Sequence, residues 1–491
     1  MIPRTSPAAL AAALGLAALA PAALADQPVK APPPAQHPVT AAKPPLAATV
    51  HAVAAAAPAA PARLAVKLDI HRAKLDNGLR VVLAPDRTTP TIAVDVVYDV
   101  GARNEERGHA GFAHLFEHMM FQGSHNVARG EHFKLVSSHG GTLNGTTSED
   151  RTNYFEMLPQ SELPLALWLE ADRMKSLDIS QFNFENQRKV VEEEFRMRVS
   201  NAPYVPSEIR LQSMVFEGYW PYEHPAIGDM QNLEAAQLEW VRKFHDEYYA
   251  PNNAVLTVSG DFDPDECMRV LKTYFGDIKP QPGVPPYQPG AMPPQKAPRD
   301  AVMEDAHAQL PAILEGWAIP AARSPDHYAL EMLAMLLSDG DSSRLQSSLV
   351  RQRAIATEVD ASTSDHRGPD QFEISAKVAS SSNVAQVQRA LDAELDKIKH
   401  APPTDEEMRK LRNRMEARFL FGLQSNIARA QQLAEFELYW GDANLLTTEL
   451  DKYLAVKKED IQRVAAQYLK NETRSRIEVK PGGSGEAKKG S

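Results

Sequence analysis

A dense run of prolines divides this chain of 491 residues near its middle and most constrains its fold. Residues 280–300 contain this run together with Gly283 and Gly290, a composition typical of a linker between domains. The order of predicted strands and helices before the linker is repeated after it. We therefore predict an α+β fold with two homologous domains, at residues 64–279 and 301–480.

The repeat is clearest when Gly340 is placed on Gly123. The apolar positions of residues 330–337 then match those of residues 113–120. Three polar positions differ, because His114, Glu117 and His118 are replaced by Glu331, Ala334 and Met335. We infer two copies of one fold, the second a metal-free domain; the alternative is a chance similarity between two α+β domains.

The first copy contains an apolar helix, predicted around residues 113–121, with three polar residues on one side. His114 and His118 lie about 40° apart around the helix axis, with Glu117 on the same side. Two imidazoles on one helical face can hold Zn²⁺, and a neighbouring carboxylate can take a proton from the water that the ion activates. The order is H-x-x-E-H, the inverse of H-E-x-x-H. A chance meeting of polar residues on a solvated helix is the alternative, which the apolar flanks disfavour.

A tetrahedral zinc site with two imidazoles needs one more protein ligand and one water. The helix predicted at residues 183–199 offers three consecutive carboxylates, Glu192, Glu193 and Glu194. Spacing alone leaves all three open as the third ligand. A solvated acidic face accounts for at least two of them.

Charge and cysteine content exclude other classes of protein. The net charge is −11 and no basic stripe is present, which argues against a nucleic-acid partner. The single cysteine, Cys267, excludes an internal disulfide framework.

The N-terminal segment predicts export. Residues 1–25 show a positive start, an apolar stretch and a small-x-small cleavage site, the pattern of a secretory signal peptide. Residues 26–63 are rich in Ala and Pro and predict a disordered spacer, and residues 481–491 a flexible tail. No other stretch is long and apolar enough to cross a bilayer. We expect an exported protein, periplasmic or secreted, with no transmembrane span in the mature chain.

Several motifs together resemble the insulinase/pitrilysin family of zinc peptidases, the H-x-x-E-H inverzincins. The resemblance is closest to the branch of mitochondrial processing peptidase and its bacterial relatives, and it covers residues 65–480. It is carried by residues 114–124, 140–144, 150–154, 188–194 and 339–345. The resemblance implies that each domain is a mainly antiparallel sheet packed with helices.

Carried over by motif position, the resemblance also implies roles for individual residues. Glu194 is implied as the third ligand of one Zn²⁺ per chain, and Glu117 as the general base. Gln187 stands where the family has a glutamate seven residues before the ligand, which implies reduced activity or altered metal affinity unless Glu185 compensates. The segment around Asn144 is a candidate strand edge for binding an extended peptide, with an ordinary hairpin as the alternative.

The function implied is that of an exported zinc metalloendopeptidase acting on peptides or unfolded segments. In this family an Arg/Tyr pair from a second half-molecule completes the site, and this chain shows residues 372–374 (Phe-Glu-Ile) where the arginine is expected. We therefore expect a hetero- or homodimer in which a homologous subunit supplies the pair. The alternative is a non-catalytic or weakly active subunit of a peptidase-like heterodimer or assembly, which the intact His/Glu/His set disfavours.

Overall fold

The computed structural model describes residues 67–482, so the predicted signal peptide and spacer lie outside the described residues, as does most of the predicted tail. The strands are β1 His71–Lys74, β2 Arg80–Pro85, β3 Thr91–Tyr98, β4 Thr142–Thr147, β5 Thr152–Pro159, β6 Ala254–Gly260, β7 Arg299–Asp305, β8 Ala312–Ile319, β9 Ala356–Thr363, β10 Asp370–Val378 and β11 Ser475–Pro481. The helices are α1 Phe112–Met119, α2 Glu131–Ser138, α3 Leu163–Ser176, α4 Gln181–Phe195, α5 Val205–Val215, α6 Trp220–Glu223, α7 Met230–Ala235, α8 Leu238–Tyr248, α9 Pro264–Phe275, α10 His327–Ser338, α11 Val384–His400, α12 Asp405–Gly422, α13 Asn426–Trp440, α14 Leu446–Ala455 and α15 Lys458–Tyr468. Between residues 67 and 482, no helix combines the length and the apolar character needed to cross a membrane.

The first sheet has six strands in the order β1-β2-β6-β3-β5-β4. Neighbouring strands are antiparallel except for the parallel pair β2 and β6. Strand β6 is buried along its whole length, and β3 is buried from Ile92 to Tyr98, because helices cover both faces of the sheet. Strand β4 forms one edge and pairs only with β5 within the sheet.

The second sheet repeats this arrangement, in the order β7-β11-β8-β10-β9. Its only parallel pair is β7 and β11, which matches β2 and β6. The helix α10 occupies the place of α1 in chain order, and Gly340 and Gly123 follow these helices with φ of +80° and +106°. The predicted α+β fold, with two mainly antiparallel sheets packed with helices, is confirmed.

Each half of the chain contributes a helix to the other half's sheet. Helix α5 precedes the proline-rich segment but packs on β8 and β11, where a Cβ added at Gly316 would lie 2.7 Å from Val215 Cγ2. Helix α13 follows that segment but packs on β3 and β6 of the first sheet. There Arg429 donates a 2.9 Å hydrogen bond to Ser259. The sequence pattern assigned both helices to their own halves, whereas each covers a face of the other half's sheet.

The proline-rich segment lies against the first half of the chain. No helix or strand is present between the described residues 279 and 298. The ring of Tyr287 contacts two guanidinium groups. Its centroid lies 4.7 Å from the guanidinium carbon of Arg103 and 4.0 Å from that of Arg367. Both arginines also bond Asp99, at 2.6 and 2.9 Å. The segment is therefore held at a contact that joins the two halves.

Candidate metal centre

The helix α1 is fixed at its start by a buried carboxylate. Glu105 accepts hydrogen bonds from the backbone N–H groups of Gly111 (2.9 Å) and Ala113 (2.7 Å), which have no partner within the helix. His224 Nε2 lies 2.9 Å from the same carboxylate. The helix is embedded among apolar side chains, so the orientation of its polar face is determined by packing.

Three ligand atoms converge beside α1. His118 Nε2 lies 3.1 Å from Glu194 Oε2 on α4, His114 Nε2 lies 3.3 Å from His118 Nε2, and His114 Nε2 lies 3.8 Å from Glu194 Oε2. A tetrahedral zinc with bonds of about 2.0–2.2 Å requires ligand atoms about 3.3–3.5 Å apart. The two imidazole rings stand at 88° to each other, so their nitrogens approach one point from different directions. The residues therefore fit a zinc ion.

The charges of these groups also suit a divalent cation. Burial and the neighbouring His118 lower the pKa of His114 to about 3, so its imidazole is neutral and its nitrogen lone pair is available. For Glu194, burial acts to raise the pKa, but the hydrogen bond with His118 and the nearby cationic groups outweigh it and lower the pKa to about 2. Two imidazoles and one ionised carboxylate form a donor set typical of catalytic zinc.

Glu117 lies beside this triangle and is buried. Its carboxylate lies within 4.8 Å of the ring nitrogens of both histidines. Burial raises its pKa, as befits a group that accepts a proton near neutral pH. Thr147, at the end of β4, donates a 2.6 Å hydrogen bond to its Oε2. The site thus combines a metal-binding triangle with an adjacent proton acceptor.

Comparison with known proteins identifies the family of this chain. Residues 80–217 match the family described as Insulinase (Peptidase family M16), and residues 235–415 match the Peptidase M16 inactive domain. Over 411 residues the chain is 33% identical to the zinc protease PqqE of Helicobacter pylori, which covers 83% of this chain and 92% of that protein. The chain belongs to the insulinase family.

Two further proteins are similar to this member of the insulinase family. A crystal structure of a protease from Helicobacter pylori superposes with a TM-score of 0.80 at 32% identity, covering 84% of this chain and 100% of that one. The probable mitochondrial-processing peptidase subunit beta of Arabidopsis thaliana is 23% identical over 404 residues, covering 80% of this chain and 75% of that protein. The family resemblance inferred from the motifs is confirmed.

The structure distinguishes the three candidate glutamates of this insulinase relative. Glu193 is exposed and pairs with Arg196 at 3.1 Å. Glu192 lies 3.6 Å from Arg188 along the same helix. Glu194 alone of the three is paired with the imidazoles. Local spacing could not separate these residues, because the difference lies in what packs against each face of α4.

The remaining predicted residues lie near the site but outside the triangle. Gln187 is buried on α4, seven residues before Glu194. Glu185 is exposed and accepts a 2.8 Å hydrogen bond from Gln181. Asn144 lies on the edge strand β4, where its Oδ1 accepts a hydrogen bond from the backbone N–H of Gly145 at 2.9 Å.

Two residues of the site were missed from the sequence. Thr147 contacts Glu117 from β4, a contact across 30 positions that no local pattern indicates. Arg198 Nε lies 3.0 Å from Glu194 Oε1, the oxygen that is turned away from the histidine contacts. Arg198 belongs to a π-helical turn, Arg196–Ser200, that continues α4. Such turns are frequent at functional sites, because they redirect side chains of a helix.

Proposed function

We propose that the chain is a zinc metalloendopeptidase that hydrolyses bonds in peptides or unfolded segments. The observation that carries this proposal is the triangle of His114, His118 and Glu194, with ligand atoms 3.1–3.8 Å apart and Glu117 beside them. A zinc ion, when bound, lowers the pKa of a water toward neutral and polarises the substrate carbonyl.

Glu117 performs the proton transfers in this proposal. Its carboxylate accepts the proton of the attacking water and returns it to the amine that leaves, so the base becomes the acid for bond cleavage. Oε2 already accepts a hydrogen bond from Thr147, which leaves Oε1 for the proton. The burial of Glu117 keeps the carboxylate away from bulk water, which strengthens its hydrogen bonds during the reaction.

The edge of the first sheet supports a peptide as the substrate. Strand β4 pairs only with β5, so the backbone groups on its other side are not used by the sheet. An extended peptide can add to such an edge through main-chain hydrogen bonds. Asn144 lies on this strand, and Thr147 at its end contacts Glu117. A peptide on β4 would therefore run past the metal centre.

We propose one zinc per chain, because other groups of histidine and carboxylate between residues 67 and 482 are already engaged. In the group of His132, Glu156 and Glu170, Arg173 pairs with Glu170 at 2.9 Å. In the group around Asp370, that carboxylate accepts hydrogen bonds from three backbone N–H groups.

We further propose export and a homologous partner. Export to the periplasm or outside the cell rests on the signal-like pattern of residues 1–25. The proposal of a partner rests on the Arg/Tyr pair of the family, because residues 372–374 do not supply its arginine. Phe372 is fully buried, 6.4 Å from the ring of Trp317, so the segment where the arginine was expected offers no cation. A homologous subunit that provides the pair would complete the site in a dimer.

A second candidate function is that of a weakly active or non-catalytic subunit. It is favoured by Gln187, which cannot supply the negative charge of the family's glutamate. If this candidate is correct, the chain binds zinc but does not cleave peptides at an appreciable rate.

The two candidates are separated by zinc analysis and by cleavage of a quenched fluorescent peptide. We expect the wild type to bind zinc and cleave, and Glu117→Gln to bind zinc and lose at least about 100-fold in kcat/KM. The exposed Glu193→Gln should match the wild type. If zinc is bound but the wild type and Glu117→Gln are equally inert, even with the homologous subunit added, the peptidase proposal is wrong.

A further inference from the structure

The hydrogen bond between Thr147 and Glu117 connects the proposed base to the second half of the chain. We propose that Thr147 is a positioning residue for Glu117, and that Arg151 and Glu435 hold the strand end from which Thr147 acts. This inference rests on the proposed peptidase function, because it concerns the orientation of the base.

The first step is the contact itself. Thr147 Oγ1 lies 2.6 Å from Glu117 Oε2, and it makes the one side-chain hydrogen bond to this carboxylate within residues 67–482. Strand β4 passes so close that a Cβ added at Gly145 would lie 3.0 Å from Glu117 Cγ. Glycine at this position therefore allows the strand to approach the base, and the hydroxyl two residues later fixes one carboxylate oxygen.

The second step is the support of the strand end. Arg151 follows the turn after β4 and folds back on it. Its guanidinium donates to the Thr146 carbonyl at 3.3 Å, to Asn153 Oδ1 at 3.0 Å and to the Thr146 hydroxyl. Asn153 in turn donates a 2.8 Å hydrogen bond to the buried Asp95. The residue immediately before Thr147 is thus held by both its backbone and its side chain.

The third step leads out of the first half of the chain. Arg151 Nε lies 3.0 Å from Glu435 Oε1 on α13, the helix that the second half places on the first sheet. The path Glu435, Arg151, Thr146, Thr147 and Glu117 is a continuous series of hydrogen bonds and one peptide bond. The second half, which carries no metal ligands at the aligned positions, thereby restrains the base.

The physical consequence concerns the carboxylate's orientation. A glutamate without its anchor can turn about its last bonds, and small misplacements of a catalytic group are costly. Thr147→Val removes the hydroxyl while keeping the branched shape, and Thr147→Ser keeps the hydroxyl. Thr357→Val is the matched control, because Thr357 is exposed on β9, the edge strand of the second sheet.

The test compares these variants in three measurements: zinc affinity by chelator competition, peptide cleavage, and calorimetric binding of acetohydroxamate to the zinc-loaded protein. A hydroxamate chelates zinc and donates a hydrogen bond to an adjacent carboxylate, so its affinity reports the orientation of Glu117 without turnover. We expect Thr147→Val to lower kcat at least about 10-fold with KM within about twofold, and to weaken hydroxamate binding as Glu117→Gln does. Thr147→Ser and Thr357→Val should stay within about threefold of the wild type, and Glu435→Ala should lower kcat by about threefold.

The results separate the inference from the proposed function. Wild-type kcat and hydroxamate affinity in Thr147→Val would overturn the inference. A loss of zinc from this variant would also overturn it, because Thr147 would then support the metal site and not the base. If the wild type binds zinc and hydroxamate but cleaves no peptide, the proposed function fails, and the hydroxamate series alone decides the role of Thr147.

Discussion

Replacement of Glu194 by glutamine tests the metal centre most directly. The variant keeps the size of the side chain but removes the charge that faces His118 at 3.1 Å and His114 at 3.8 Å. It also leaves Arg198 without the carboxylate that lies 3.0 Å away. Because α4 is held by other contacts, we expect the fold to be retained and zinc affinity to fall.

The expected loss follows from the number of ligands. Structural zinc sites with four protein ligands bind with about 10–16 kcal/mol, or about 2.5–4 kcal/mol for each ligand. At about 1.4 kcal/mol for each factor of ten, loss of one ligand corresponds to a zinc affinity about 60- to 700-fold weaker. Zinc at a concentration that saturates both proteins should then stabilise the variant less than the wild type, by about 2.5–4 kcal/mol.

Competition with a fluorescent chelator measures the zinc affinity, and thermal unfolding with and without zinc measures the stabilisation. Glu193→Gln is the control, because Glu193 is the preceding residue of the same helix and is exposed. It should bind zinc within about twofold of the wild type, since it is not a ligand. If Glu194→Gln keeps the wild-type affinity while Glu192→Gln or Glu193→Gln loses it, the assigned triangle is wrong.

Three further predictions concern the surroundings of the site. Gly145→Val should lower kcat/KM at least about 10-fold with zinc retained, because its side chain would displace Glu117, whose Cγ lies 3.0 Å from an added Cβ; a wild-type rate would contradict this. Burial raises the pKa of Glu170 to about 8 in the folded protein. Between the ordinary pKa of about 4.5 and pH 8, the folded protein keeps a proton on Glu170 that the unfolded chain has released. The free energy of unfolding should therefore fall as the pH rises from about 4.5 to 8. Urea unfolding of Glu170→Gln should show a flatter dependence on pH, and an unchanged slope would refute this reasoning. Arg367→Ala should lower the free energy of unfolding in urea by about 2–3 kcal/mol, since it breaks a largely buried ion pair with Asp99 and a cation–π contact with Tyr287. Arg87 is exposed, so the control Arg87→Ala should lower the free energy of unfolding by under about 0.5 kcal/mol.

The site was partly predictable because half of it is local. His114, Glu117 and His118 share one helical turn, so helix geometry alone places them together. Glu194 comes from a distant helix, and the choice among three adjacent glutamates depends on which face of α4 meets α1. Thr147 could not be found, because the contact depends on how closely β4 passes α1.

The fold shows the same division between local and distant information. The predicted repeat of strands and helices on either side of the proline-rich segment is confirmed by β3 and β5, which occupy the same places in the first sheet as β8 and β10 in the second. Strand β11 was not predicted, although Ile477 and Val479 alternate with polar residues. No local pattern shows that α13 covers the first sheet, since its apolar face would serve either half equally well.

The exchange of α5 and α13 affects the order in which the molecule can be completed during synthesis. The first sheet finds its cover only when residues 426–440 have left the ribosome, although its own strands end at Gly260. Until then the face of β3 and β6 that α13 covers, which includes Asp95, Thr257 and Ser259, is open to water, and the nascent first half is an incompletely packed form. Separately expressed halves would meet the same difficulty, so cutting the gene at the proline-rich segment should not yield two soluble proteins.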